Sequence, residues 1–216
     1  MAAPAHTSRR ERRKHELRER ILEAASALFE LKGISATTVA EICERADVAQ
    51  KTFFNHFESK PQLLREMAGE GLERMCVDLE EIRKQHDNTA DRLAAFFRQI
   101  ADNAEAAGPM HREVLTEIIH VAQDTSSEPE QARRLHAAFG ALVRDGRADG
   151  DISREDSLAT QTEMLLGAFY ALMFNWANLD GYPIRERARA AARFLADAIA
   201  SQAAAEPSAA QTGRED

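Results

Sequence analysis

The chain is poor in the residues that do covalent or metal chemistry. It has two cysteines in 216 residues, and Cys43 and Cys76 stand alone inside apolar helical patterns, with no metal-ligand spacing. That excludes a disulfide framework and reads instead as buried, reduced thiols in a cytoplasmic protein. No apolar run approaches the roughly 18 residues needed to span a bilayer, and no secretory leader pattern is present. A cytoplasmic location with no membrane partner is the expectation. Nucleophile elbow, phosphate-binding glycine loop and H-E-x-x-H are all missing. His111 and His120, nine apart, lack a third ligand at a useful spacing. No catalytic residue, metal or cofactor is therefore assigned, and a small helical enzyme is only an alternative class. Runs of β-branched residues and repeats of fixed period are absent too.

What is present is charge, unevenly spread. The chain carries 28 Lys/Arg against 36 Asp/Glu, a net −8, which by itself argues against a nucleic-acid binder. Residues 1–60 carry a net +2, however, and the remainder a net −10. The basic residues concentrate in Arg9-Arg10-Glu11-Arg12-Arg13-Lys14. A locally basic start on an acidic chain suggests two jobs on one polypeptide.

Apolar residues recur at spacings of three and four almost throughout, which predicts an all-α fold of about nine helices. The first covers 9–32, with Leu17, Ile21, Leu22, Ala25, Leu28 and Phe29 on one stripe and Gly33 as its stop. Thr38-Val39-Ala40-Glu41 fits a capping box opening a short helix to about Arg45. After the turn Ala46-Asp47-Val48, another short helix spans 50–54. Ser59-Lys60-Pro61-Gln62 is a second box, with Pro61 in the first turn of a long helix to about Lys84. Further helices are expected at 90–107, 110–123, 129–146, 154–180 and 184–203, separated by Gly, Pro and Ser-rich breaks. Residues 204–216 read as a disordered tail.

Two short helices joined by a tight turn and braced by a longer one form a helix-turn-helix, whose second helix enters the DNA major groove. That accounts for Val48-Ala49-Gln50-Lys51-Thr52-Phe53-Phe54-Asn55-His56-Phe57, which is greasy and polar at once. Phe53 and Phe57 share a face and can pack inward. Gln50, Lys51, Thr52, Asn55 and His56 are left facing outward. Lys51 suits guanine and Gln50 adenine, whereas Thr52 and His56 suit phosphates. Thr38 and Lys60 open helices, where backbone N–H groups favour a phosphate. Arg9 and Arg10 belong to a basic arm suited to salt-dependent backbone contacts. Each of these residues also has a plain structural explanation: a cap, a core ring or a solvated surface.

The same stretch resembles the TetR family of transcriptional regulators. The likeness runs over about 45 residues: Arg20-Ile21-Leu22, Ala24-Ala25, Leu28-Phe29, Gly33-Ile34, Thr37-Thr38-Val39, Ile42, Ala46-Asp47-Val48, Thr52-Phe53-Phe54, His56-Phe57, Ser59-Lys60 and Leu63. The resemblance implies base reading by Gln50 and Lys51, with phosphate contacts from Thr38, Thr52, His56 and Lys60. Two positions depart from the pattern. Ala49 stands where Ser or Thr is common, and Phe54 where Tyr is common, so a cap and a phenolic phosphate contact are lost.

The resemblance also implies the layout: a DNA-binding domain over 1–59 and a helical ligand-binding and dimerisation domain over 60–203. It further implies a homodimer acting as a ligand-responsive repressor on a pseudo-palindromic double-stranded operator, with half-sites about 34–36 Å apart. For the dimer seam the small and apolar residues of the last two helices nominate Leu165, Leu172, Trp176, Ala188, Ala192, Leu195 and Ile199; an ordinary intramolecular core is the alternative. For a small apolar, aromatic or acyl effector the nominees are Phe97, Met110, His111, Leu115, Ile119, Phe139, Met164 and Phe169, with polar groups such as Gln161 at hand. A helical adaptor that binds protein instead of DNA stays open at this point.

Overall fold

The computed structural model describes residues 9–106, Arg112 and 129–201. Among them the chain is all-α, as expected: eight helices and no sheet, only an isolated bridge between Ile152 and Ala200. The segment expected as a helix at 110–123 lies outside the described residues except for Arg112, and so does the tail at 204–216.

The described residues fall into two compact units, one holding 9–70 with Arg112 and the other 71–106 with 129–201. The first holds α1 (Arg9–Lys32), α2 (Val39–Arg45), α3 (Gln50–Phe54) and the opening turns of α4 (Lys60–Gln85). Its core is one cluster in which Ile21, Leu22, Ala25 and Phe29 of α1 meet Ile42 and Cys43 of α2, with Phe53 and Phe57. Leu63 and Leu64 of α4 belong to the same cluster. The opening turns of α4 therefore share this core.

Local chemistry sets the breaks. Gly33 takes φ 85° and returns its N–H to the Phe29 carbonyl at 2.8 Å, ending α1 in a left-handed residue. The turn between α2 and α3 uses Asp47 at φ 52°, a position that Asp tolerates better than most residues.

The second unit contains the rest of α4 with α5 (Thr89–Ala106), α6 (Pro129–Asp149), α7 (Leu158–Asn178) and α8 (Ile184–Ile199). Helix α5 packs on α8 and α6, and α7 packs on α6 and α8. A group of aromatic rings fills the centre. Phe96 lies edge-on to Phe97 and Phe139, with centroids 5.5 and 5.3 Å away, and Phe169 sits 6.1 Å from both Phe96 and Phe139.

Two helix ends differ from the sequence reading for one shared reason. Ser153 donates its backbone N–H to Ile199 and Ser201 donates to Asp151, at 2.8 and 2.9 Å. This short extended pairing stops α8 at Ile199 and delays α7 until Ser157, which caps it by accepting the Thr160 N–H at 3.0 Å. Gly146, read from sequence as a break, lies instead inside α6. The Asp151 carboxylate accepts from the Thr89 backbone N–H (2.6 Å) and hydroxyl (2.9 Å), closing the start of α5 from 62 residues away. A Cβ on Gly146 would meet the Thr89 hydroxyl at 2.1 Å and Ile152 Cδ1 at 2.6 Å. The glycine is there for space.

Gly146→Ala should therefore destabilise the protein by about 1–3 kcal/mol, as overpacking does. Urea unfolding of the two proteins side by side measures this, and equal midpoints would show that the junction has room to relax.

Candidate nucleic-acid interface

A five-residue helix has almost no stability of its own, because nucleating a turn fixes more dihedral angles than its few hydrogen bonds offset. Helix α3 lacks even a side-chain cap, since Ala49 offers no acceptor to its free N–H groups. What holds it is Phe53, fully buried, with Phe57 beside it at 5.6 Å between ring centroids. Burying such a ring stabilises by about 1.5–3 kcal/mol. With Phe53 inward, Gln50, Lys51, Phe54 and Asn55 are exposed, and Thr52 and His56 are half-buried.

Three ties brace the surroundings. Arg20 of α1 donates to the carbonyls of Ala46 and Asp47 in the turn before α3. The Lys60 ammonium donates to Ile34 and Thr37, at 2.9 and 2.8 Å. Arg18 donates to Glu66 and Glu70, one turn apart on α4, and its guanidinium lies 5.7 Å over the Phe57 ring.

Thr38 caps α2 through a complete capping box: its hydroxyl oxygen accepts the Glu41 N–H at 3.3 Å, and the Glu41 carboxylate accepts the Thr38 N–H at 2.8 Å. Lys32 pairs with the same carboxylate. The Lys32 ammonium, followed by the Thr38 backbone and hydroxyl, holds Glu41 down to about 2. At α4 the second box is skewed. Ser59 accepts the Gln62 N–H at 3.2 Å, while the Gln62 side chain reaches the N–H of Glu58.

Of the expected DNA contacts, the structure brings Gln50, Lys51, Thr52 and Asn55 onto or beside one outward face. His56 sits next to Phe57, and its Nδ1 is buried without a partner. Burial, with help from Lys14 and Arg18, lowers the His56 pKa, so near neutral pH the ring is a hydrogen-bonding group and not a cation. Lys60 opens α4, as expected. Two of its three ammonium hydrogens already serve carbonyls of the α1–α2 loop, which leaves one for an outside acceptor. Arg9 and Arg10 are exposed and form the first turn of α1, so the basic run is helical from Arg9 onward.

The second unit holds the residues nominated for a seam and a ligand, apart from those outside the described residues. Leu165, Leu172, Trp176, Ala188, Ala192, Leu195 and Ile199 are all buried within one chain, each at most 7% exposed. They belong to the internal core of α7 and α8, the alternative weighed beside the seam. Phe97, Phe139 and Phe169 are packed among one another or against Phe96. Met164 is 56% exposed. Met110, His111, Leu115 and Ile119 lie outside the described residues. Gln161 is buried, but its side chain is taken up by Arg147 and the Ser153 carbonyl. Sequence reasoning missed the Arg18 clamp; the Glu66/Glu70 pair, four apart on one helix face, was its only local trace. Among the described residues no cluster of His, Cys, Asp or Glu is placed to hold a metal, and no helix is long and apolar enough to cross a membrane.

Residues 21–67, which cover α2, α3 and most of the residues that brace them, match the family model described as bacterial regulatory proteins, tetR family. Over this segment the chain is similar to the TetR family of regulators. It is 30% identical over 80 residues to the transcriptional repressor KstR2 of Mycobacterium tuberculosis, a match spanning 37% of this chain and 40% of that protein. It is 31% identical over 121 residues to the repressor KstR of Rhodococcus jostii, covering 56% of each. The chain thus spans about two fifths to a little over half the length of these curated relatives. The solved structure of Thermus thermophilus FadR, a TetR-family repressor in complex with lauroyl-CoA, superposes with a TM-score of 0.65 over 91% of this chain and all of that one. At 22% identity that likeness establishes the fold.

Thr38→Ala should cost about 1 kcal/mol of stability, the usual worth of such a cap. The lowered Glu41 pKa sets a pH signature. Its contribution is complete above the ordinary carboxylate value and is lost as pH falls toward 2. In urea melts, Glu41→Gln should be less stable than the parent at pH 7, with the gap narrowing steadily below pH 5. A gap independent of pH would remove the charged capping box from the account.

Proposed function

We propose that the protein is a transcriptional repressor that binds a pseudo-palindromic operator in double-stranded DNA as a homodimer and releases it when a small apolar or acyl effector binds. The observation that carries the DNA reading is the outward face of α3. Gln50 and Lys51 stand exposed on a helix whose opposite side is anchored by Phe53. Lys51 suits guanine O6 and N7 and Gln50 suits adenine, while Thr38, Thr52, Asn55, His56, Arg9 and Arg10 supply backbone contacts that set register. A cytoplasmic location follows from that role. The purified protein, mixed with sheared source DNA, should enrich fragments carrying a short palindrome that footprints at the same place. No enrichment at low salt would sink the reading and return the protein-binding adaptor.

The homodimer finds support in a stripe that the single chain leaves bare. Thr160, Met164, Gly167, Ala171, Phe174 and Asn178 are all exposed on α7 at spacings of four, three, four, three and four. That is the repeat by which two helices keep one seam in register. A Cβ on Gly167 would touch nothing within 4 Å in one chain, so the small residue is not required by its own fold. On α8, Phe194 is 72% exposed. A seam along this stripe would use the opposite side of α7 from Leu165, Leu172 and Trp176.

The lauroyl-CoA held by the Thermus thermophilus relative supports an acyl effector here. Whatever its identity, the effector can shift the balance of DNA-bound and released forms only by its differential affinity for them, typically about 1–3 kcal/mol.

Lys51→Ala should weaken specific binding by about 1–3 kcal/mol and relax one base position per half-site; repeating the DNA selection with the variant reads both, and an unchanged preference would remove Lys51 as a reader. Phe174→Asp should yield monomers in sedimentation equilibrium and markedly weaker operator binding with the fold intact by circular dichroism. A variant that stays dimeric would place the seam elsewhere.

A further inference from the structure

The reading face contains one side chain that neither a phosphate nor a hydrogen-bonding base edge accounts for. Phe54 is 50% exposed, among the few large apolar side chains left in water. It follows Gln50 by four residues and Lys51 by three, so on the helix surface it is the neighbour of both. Its ring does not swing free. It packs edge-to-face on the buried Phe53 ring, with centroids 5.4 Å apart and planes at 85°. A fixed aromatic ring therefore stands between the two polar side chains that face the groove.

A phenylalanine ring offers no donor or acceptor, so it cannot bind a phosphate or hydrogen-bond a base. What it can do is exclude water from an apolar partner. The major groove presents one such group, the C5-methyl of thymine, and phenylalanine is among the side chains suited to contact it. We propose that Phe54 is a specificity-determining residue that reads thymine through its C5-methyl group, at a base pair adjoining those contacted by Gln50 and Lys51. This rests on the DNA-binding function proposed above and adds to it a third read position, recognised by apolar contact alone.

The test is a thymine-to-uracil scan of the operator recovered by selection. Uracil keeps every hydrogen-bonding group of thymine and lacks only the methyl. With the parent protein, uracil at one or two positions per half-site should weaken binding about fourfold, the worth of one buried methyl-sized group, and uracil elsewhere should not. Phe54→Ala should bind the thymine operator more weakly by a similar factor and lose the distinction between thymine and uracil. Lys51→Ala should bind more weakly yet keep it. A general loss of helix structure would instead weaken both operators alike without a position-specific change, and Phe54→Tyr, which keeps the ring, should retain the thymine preference. Indifference of the parent to uracil at every position would overturn the methyl contact while leaving the DNA-binding function intact, as would a Phe54→Ala protein that still discriminates. Recovery of no DNA fragment would overturn the function and the contact together.

Discussion

The burial of one ring, Phe53, is the constraint on which the reading surface depends. Helix α3 has five residues, no side-chain cap and no length over which hydrogen bonds could accumulate. Its existence is a tertiary fact, supplied by a pocket of Ile42, Phe29 and Phe57 in the same cluster. Once Phe53 is inward, a 3.6-residue period leaves little choice about Gln50, Lys51 and Phe54. They must face out. The outward face of α3 and the stability of the first unit are thus two sides of a single packing event.

Around that anchor, charged side chains act as structural ties. Arg20 holds the turn before α3, Lys60 holds the loop before α2, and Arg18 joins α1 to α4 while covering the Phe57 ring. Partly buried pairs of this kind, with several hydrogen bonds to one guanidinium, outweigh exposed ion pairs, which contribute little. Their arrangement has a mechanical consequence. The first turns of α4 cannot be displaced without either breaking the Arg18 bonds to Glu66 and Glu70 or carrying α1 along. A signal that moves α4 would be felt at Phe57, and Phe57 packs directly on Phe53.

How much of this the sequence disclosed depends on how local each interaction is. The Thr38–Glu41 box, the Gly33 stop and the Phe53/Phe57 pair are decided within four residues, and all were legible. The Asp151 cap of α5 spans 62 residues, and only the folded chain brings its partners together. Gly146 misled for a related reason, because the crowding that demands a glycine comes from Thr89 and Ile152, which the local pattern does not mention. The residues nominated for a seam illustrate a different limit. Helix α7 is apolar or small on two faces, and composition favoured the face with Leu165, Leu172 and Trp176. Those large residues are wanted most by the chain's own core. The stripe left over, Met164 to Phe174 through Gly167 and Ala171, has the heptad spacing but less bulk.

Charge illustrates why sums along a chain mislead about DNA. A net −8 would seem to repel a polyanion, and the excess sits almost wholly after residue 60. At physiological ionic strength, however, exposed charges are screened beyond about 8 Å. What a phosphate meets is therefore set by the few residues within reach, here Arg9, Arg10, Lys51 and the helix starts, rather than by the total. The acidic remainder still has a consequence: it gives no support to binding at arbitrary DNA, where affinity comes almost entirely from cations on phosphates. On the function proposed above, a protein of this charge pattern draws more of its DNA affinity from fitted contacts on the outward face of α3. That places unusual weight on three adjacent side chains, Gln50, Lys51 and Phe54, and on the buried ring that aims them.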